Sequence, residues 1–222
     1  MSRIVLPTGT TADLVRPATG TTTRGLVLWP DIMGLRPLFD EHATRLADEQ
    51  GWVVCAAEPF PGQEQLSLEE RQAAAKDLSD EAKMADAAAA ADAVATLVGD
   101  APIGLLGFCM GGMYAMKSLA LHRFDKAVSF YGMVRVPEHW QGDGMGDAID
   151  SVRDRGDAQL LCIFGLGDPY CPEDQIDEVE AAGAEVVRYP DAGHGWAHDA
   201  SRENYRDADA ADAWSRALAF LS

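Results

Sequence analysis

Runs of apolar residues alternate with helix-like stretches along almost the whole chain. Gly25-Leu26-Val27-Leu28-Trp29, Trp52 to Ala57, Ile103 to Leu106, Lys126 to Tyr131, Gln159 to Phe164 and Glu185 to Tyr189 read as strands. Helical patterns cover 37–50, 67–98, 113–121, 172–182 and 203–221. Strands that are apolar at nearly every position must be covered on both faces. Alternated with helices, they predict an α/β fold: a mostly parallel central sheet between two helical layers. Residues 3–16 predict an antiparallel edge pair. Ser67 and Glu70 have the spacing of a capping box at the head of the long 67–98 helix. Its Ala87–Ala91 run reflects helix propensity. The segment 133–158, rich in Gly and Asp and carrying Pro137, His139 and Trp140, is expected to be a surface excursion with short helical pieces. It either borders a site or is a plain exposed loop. No repeat or linker divides the chain, so residues 1–222 are read as one domain.

Composition narrows the partners. A formal charge of −18 over 222 residues argues against nucleic acid and anionic membrane surfaces. It marks a solvated acidic surface, not an acidic site. Cys55, Cys109, Cys162 and Cys171 lack metal-ligand spacing, and Cys55 and Cys162 sit in strand-like runs as core residues. No metal and no organic cofactor is expected. The first residues show no signal-peptide pattern and nothing approaches a membrane span, so a cytoplasmic, reduced-thiol setting and a monomer are the expectations.

One stretch carries chemistry. Gly107-Phe108-Cys109-Met110-Gly111 follows a strand-like run and opens a helix-like one. That is the pattern of a nucleophile elbow, a strained turn that lifts one reactive side chain above the sheet. Side chains at positions 107 and 111 would collide with neighbouring backbone. The helix N-terminus favours a thiolate and any anion formed beside it.

A cysteine nucleophile needs a base and a group to orient that base. In open α/β sheets such partners lie in loops just after strands. Asp168 follows the strand 159–164 in Gly165-Leu166-Gly167-Asp168-Pro169, and His194 follows 185–189 in Asp191-Ala192-Gly193-His194-Gly195. Asp174 and Asp191 are the substitutes for Asp168. Two oxyanion donors are expected, the backbone N–H groups of Met110 and of Ile32 in Pro30-Asp31-Ile32-Met33-Gly34. Pocket walls are expected at Ile32, Phe60, Met110 and Trp196.

The cysteine elbow, the Pro-Asp-Ile-x-Gly loop, the Gly-x-Gly-Asp loop and the Ala-Gly-His-Gly loop resemble, in order and over residues 3–221, the dienelactone hydrolase family of α/β-hydrolases. The resemblance implies the three-layer α/β-hydrolase fold and a triad of Cys109 as nucleophile, His194 as base and Asp168 as its orienting partner. It also implies a carboxylate that helps the thiol ionise, at the position of Asp31, where members nearest the founding enzyme carry Glu. Members acting on dienelactone hold the substrate carboxylate with arginines, one of them four residues beyond the histidine. Here that residue is His198, with Arg202 four further on. Arg71 is the candidate for the other.

The function expected is cysteine-dependent hydrolysis of small carboxylic esters or lactones, of the carboxymethylenebutenolidase type, through a thioester. One alternative is a non-catalytic binding protein on the same fold. Another is a cysteine protein of the amidotransferase or glyoxalase-like class, for which neither His122 nor His139 is well placed.

Overall fold

Side chains of the strand Arg24–Trp29 alternate between two separate apolar clusters, Val27 and Trp29 in one, Leu26 and Leu28 in the other. This period of two places the chain's middle strands between two layers. The computed structural model describes residues 1–18, 20 and 22–222. Its strands are β1 (Ser2–Val5), β2 (Thr11–Val15), β3 (Arg24–Trp29), β4 (Trp52–Ala57), β5 (Ile103–Phe108), β6 (Lys126–Phe130), β7 (Gln159–Gly165) and β8 (Glu185–Tyr189). They form one sheet in the order β1-β2-β4-β3-β5-β6-β7-β8. β1 and β2 form the antiparallel edge pair, β2 joins β4 antiparallel, and the remaining pairings are parallel.

The helices are α1 (Pro37–Gln50), α2 (Leu68–Ala74), α3 (Asp80–Val98), α4 (Met110–Ser118), α5 (Ala148–Arg153), α6 (Glu173–Ala181) and α7 (Asp207–Leu221). α1 and α7 cover one face with Phe39, Ala43, Ala213 and Trp214. α3, α4, α5 and α6 cover the other with Ala87, Met113, Ile149 and Ile176. Cys55 in β4 and Cys162 in β7 are buried in that second layer. Among the described residues, no helix is long and apolar enough to cross a membrane.

Several boundaries differ from the sequence reading: α7 begins at Asp207 and not at 203, β5 runs on to Phe108, and three others bear on the site. The helix expected over 67–98 is two helices: the predicted capping box at Ser67 starts α2, Leu78 is extended, and Ser79 caps α3 by accepting the Ala82 N–H at 3.3 Å. The elbow helix begins at Met110, three residues before the predicted start. The sixth strand ends at Phe130, because Tyr131 turns to a φ of 40°.

The sheet reverses its order of growth at β3, with β4 on one side and β5 on the other. The loops leaving β3 and β5 part company there and open a crevice at the strands' carboxyl ends.

Candidate active site

Cys109 sits in that crevice, between the end of β5 and the first residue of α4, with φ 57° and ψ −122°. A side-chain-bearing residue holds such a backbone only under constraint, at a cost of about 1–3 kcal/mol. The constraint is visible. The Cys109 N–H donates to the Phe130 carbonyl at 3.0 Å, and its own carbonyl accepts from Met113 at 3.1 Å. A Cβ on Gly107 would strike the Gly111 carbonyl, and one on Gly111 would strike the carbonyls of Trp29 and Pro30. Both glycines are therefore required by close approach, as the elbow pattern anticipates.

His194 reaches the site from the loop after β8, and its Nδ1–H donates to Asp168 Oδ2 at 2.7 Å. The other Asp168 oxygen accepts the Tyr170 N–H at 2.9 Å, which fixes the carboxylate in its loop after β7. With Nδ1 engaged, Nε2 is the nitrogen that faces Cys109. Burial pulls the His194 pKa down, but the electrostatic interaction with Cys109 and hydrogen bonds with Asp168 and Cys109 outweigh it and lift the pKa to about 10. The Tyr170 ring meets His194 edge-on, with centroids 4.9 Å apart.

The two backbone N–H groups expected as oxyanion donors, those of Ile32 and Met110, have no backbone acceptor among the described residues. Asp31 O accepts the Gly34 N–H at 2.9 Å. A trans peptide directs its N–H opposite to its C=O, so the Ile32 N–H points away from that turn. Among the described residues no backbone carbonyl takes it. Met110 is the first residue of α4, where N–H groups have no partner within the helix.

A cavity of about 120 Å³ opens over these groups. Asp31, Ile32, Cys109, Tyr170, His194 and Arg202 line it, closed by Leu68 and Gln72 of α2 and by Met133 and Trp140. The 133–158 segment is thus a wall of the site and not a plain loop, and its Val134, Trp140, Ile149 and Val152 are buried.

Other residues singled out in the sequence lie elsewhere. Met110 is buried and offers only its backbone. Phe60 lines a separate surface hollow. Trp196 packs against Tyr131 and Tyr189. Arg71 is buried in a pair with Glu58 at 3.0 Å. His198 lies behind the cavity wall, bonded to Asp31. None of Phe60, Arg71, Trp196 and His198 lines the cavity, because each is engaged in packing or hydrogen bonds behind it.

Asp31 does line the cavity, but its oxygens are occupied. Oδ1 accepts from the Met33 N–H at 3.0 Å and Arg36 at 2.7 Å; Oδ2 accepts from Arg36 at 2.9 Å, His198 at 2.8 Å and Arg202 at 3.3 Å. Burial would raise its pKa, and the bonds from His198 and Arg36 hold it well below the usual carboxylate range. Arg202 is the one arginine or lysine lining the cavity among the described residues, and it keeps donor capacity. Among the described residues, no group of three or more His, Cys, Asp or Glu side chains is arranged to hold a metal ion.

A family model, the dienelactone hydrolase family, matches residues 11–222. A carboxymethylenebutenolidase of Rhodococcus opacus is 29% identical over 217 residues, which cover 88% of this chain and 79% of that protein. A Bradyrhizobium protein described as a candidate 2-oxo-3-(5-oxofuran-2-ylidene)propanoate lactonase is 27% identical over 222 residues, covering 95% of this chain and 88% of the relative. Among solved structures, a candidate dienelactone hydrolase from Klebsiella pneumoniae subsp. pneumoniae superposes with a TM-score of 0.87 at 24% identity, over 99% of this chain and 97% of that one. At that identity the likeness is one of fold. The family match takes in every element that carries the cavity.

Proposed function

The chain belongs to the dienelactone hydrolase family, hydrolases of ester and lactone bonds, and on that premise we propose that it cleaves its substrate through Cys109, His194 and Asp168. The observation that carries this reading is the meeting of Cys109 and His194 in one cavity, with His194 Nδ1 held by Asp168 at 2.7 Å.

The Cys109 thiolate attacks the carbonyl carbon. A C–S bond forms, and the carbonyl electrons move onto oxygen between the Met110 and Ile32 N–H groups. As the oxyanion collapses, the C–O bond breaks and the leaving alkoxide takes the His194 Nε2 proton. Neutral His194 then draws a proton from water, which adds to the thioester. The second oxyanion expels the thiolate, restoring the ion pair and releasing the acid. In a lactone the alcohol stays tethered, so one ring opens into one hydroxy or keto acid.

Both relatives' names denote lactones that carry a carboxylate. Arg202 is suited to receive such a group, since guanidinium pairs with carboxylate through two parallel N–H bonds. The substrate class proposed is therefore a small lactone or ester bearing an acid group. No nucleic-acid or membrane partner enters this reading, and no cofactor.

The test is p-nitrophenyl acetate hydrolysis by the wild type beside Cys109→Ala, with intact mass spectrometry. Turnover lost in the variant, and an acetyl group trapped on Cys109 in the wild type, support the reading. Equal rates in both proteins overturn it.

A further inference from the structure

A fully buried ion pair lies beside the cavity, made by two residues that do not line it. Glu58 follows directly on β4 and Arg71 lies on α2; their side chains are 0% and 2% exposed. A buried carboxylate is tolerable only when its lone pairs are filled. Those of Glu58 are filled by three elements: Oε1 accepts from the Phe60 N–H and from Arg71 Nη1, both at 3.0 Å, and Oε2 accepts from the Leu35 N–H at 2.9 Å. Arg71 distributes its remaining donors to three carbonyls. Nε reaches Leu66 at 3.2 Å, Nη2 reaches Glu64 at 2.8 Å, and Nη1 reaches Ile32 at 3.2 Å.

The last of these bonds has a chemical consequence. The Ile32 carbonyl and the Met33 N–H belong to one peptide plane, and that plane is held at both ends, by Arg71 Nη1 and by Asp31 Oδ1. The preceding peptide carries the Ile32 N–H and is set by the Gly34 bond to Asp31 O. Gly34 itself is pressed onto Glu58: with φ +70°, a Cβ there would overlap the Glu58 carboxylate. The loop that presents the Ile32 N–H is therefore gripped from below by Glu58 and from the side by Arg71. Arg71 sits on α2 between Leu68 and Gln72, which form a wall of the cavity.

We infer that the Glu58–Arg71 pair is a positioning device that locks the Ile32 peptide to α2, so that the oxyanion donor and the substrate-facing wall are held as one unit. The inference rests on the reading of Ile32 N–H as an oxyanion donor. It also assigns Arg71 a role distinct from substrate binding. Lysine cannot replace it, because a single ammonium cannot span Glu58, Ile32, Glu64 and Leu66.

The experiment compares Arg71→Lys and Glu58→Gln with the wild type, after circular dichroism and thermal melts identify the folded variants. Two reactions are followed: p-nitrophenyl acetate hydrolysis, and alkylation of Cys109 by iodoacetamide. Alkylation displaces iodide at a saturated carbon and passes through no oxyanion. The expected result is a kcat lowered about 10- to 100-fold, less than the 10²–10³ of losing a donor outright. KM and the alkylation rate should stay within about twofold of wild type. Turnover within about twofold of wild type in a folded variant overturns the inference. So does alkylation that falls in parallel with turnover, since that marks a general collapse of the site. If neither variant folds, the pair acts in folding and the inference also fails. Cys109→Ala keeps the parent reading separate: if it retains full turnover the triad is wrong, and if it is dead the triad stands whatever Arg71→Lys does.

Discussion

Asp31 and His198, 167 positions apart, meet in a 2.8 Å hydrogen bond between two fully buried side chains. The carboxylate can only accept, so His198 Nε2 carries the proton. Nδ1 of the neutral ring then accepts the Tyr131 hydroxyl at 2.5 Å. Burial pulls the His198 pKa down, in keeping with a neutral ring, although the bond to Asp31 opposes it. The residue four beyond His194 thus ties together three loops, those leaving β3, β6 and β8. His198→Ala should lower the unfolding free energy by about 2–4 kcal/mol, from a cavity, the loss of the Tyr131 hydroxyl's partner and the loss of one of the five bonds to buried Asp31. Urea denaturation at neutral pH checks this, and a loss under 1 kcal/mol would show that the loops hold without it.

Asp31 itself accepts five hydrogen bonds, none from the thiol, which marks it as the anchor of the Ile32 loop. Asp31→Asn should therefore reduce stability and kcat while leaving the acid limb of the kcat/KM profile in place. A limb displaced by a full pH unit would return Asp31 to the role of thiol activator.

Arg202 is expected to act through charge. Arg202→Gln should raise KM for carboxylate-bearing lactones about 10- to 100-fold, the worth of one charge-assisted contact. Neutral esters such as p-nitrophenyl acetate should be nearly unaffected. Equal losses on both classes would mean that Arg202 serves Asp31 and not the substrate.

Asp168 and the Cys109 sulfur together hold the His194 pKa up, at about 10. In the proposed mechanism turnover uses the imidazolium proton, so the basic limb of kcat/KM should fall near that pH. Removing the carboxylate charge in Asp168→Asn takes away support for the proton, and the limb should shift to lower pH. A limb that stays in place, or moves up, contradicts the assignment.

His42 lies against Phe39, Phe108 and Trp214, and its Nε2–H donates to the His198 carbonyl at 2.7 Å. Burial pushes its pKa down to about 4. With a folded-state pKa below the unfolded value of about 6.5, the unfolded chain binds the proton more readily. The contribution of His42 is thus complete above pH 6.5 and is lost as pH falls toward 4, roughly 3 kcal/mol in all. Melting temperatures recorded across that window should fall less steeply for His42→Phe than for the wild type.

The middle strands were legible because they are apolar on both faces, and the elbow through its two glycines, of which Gly107 is forced by the turn's own backbone and Gly111 by the Trp29 and Pro30 carbonyls at the end of β3. The break at Leu78-Ser79 was present in the sequence only as a second Ser followed by acidic residues, without the Glu three places on that marks Ser67, and the Ala-rich run after it masked the boundary. What the sequence could not show is how long side chains are spent. Arg71, His198 and Arg202 are all candidates for an anion, and only the fold shows that Glu58 takes the first, Asp31 and Tyr131 take the second, and the third lines the cavity. Tyr170 and Trp140 are of the same kind: their sequence neighbourhoods gave a loop, and tertiary contact made them walls.

Three of the four cysteines are sealed. Cys55 and Cys162 lie within strands and Cys171 is buried behind the site, where burial raises all three thiols, that of Cys55 to about 12. Cys109 alone is partly open. A thiol reagent added to the native protein thus has a fixed stoichiometry, one equivalent for each correctly assembled site. The fraction of competent molecules in any preparation can be counted by titration, before a substrate is known.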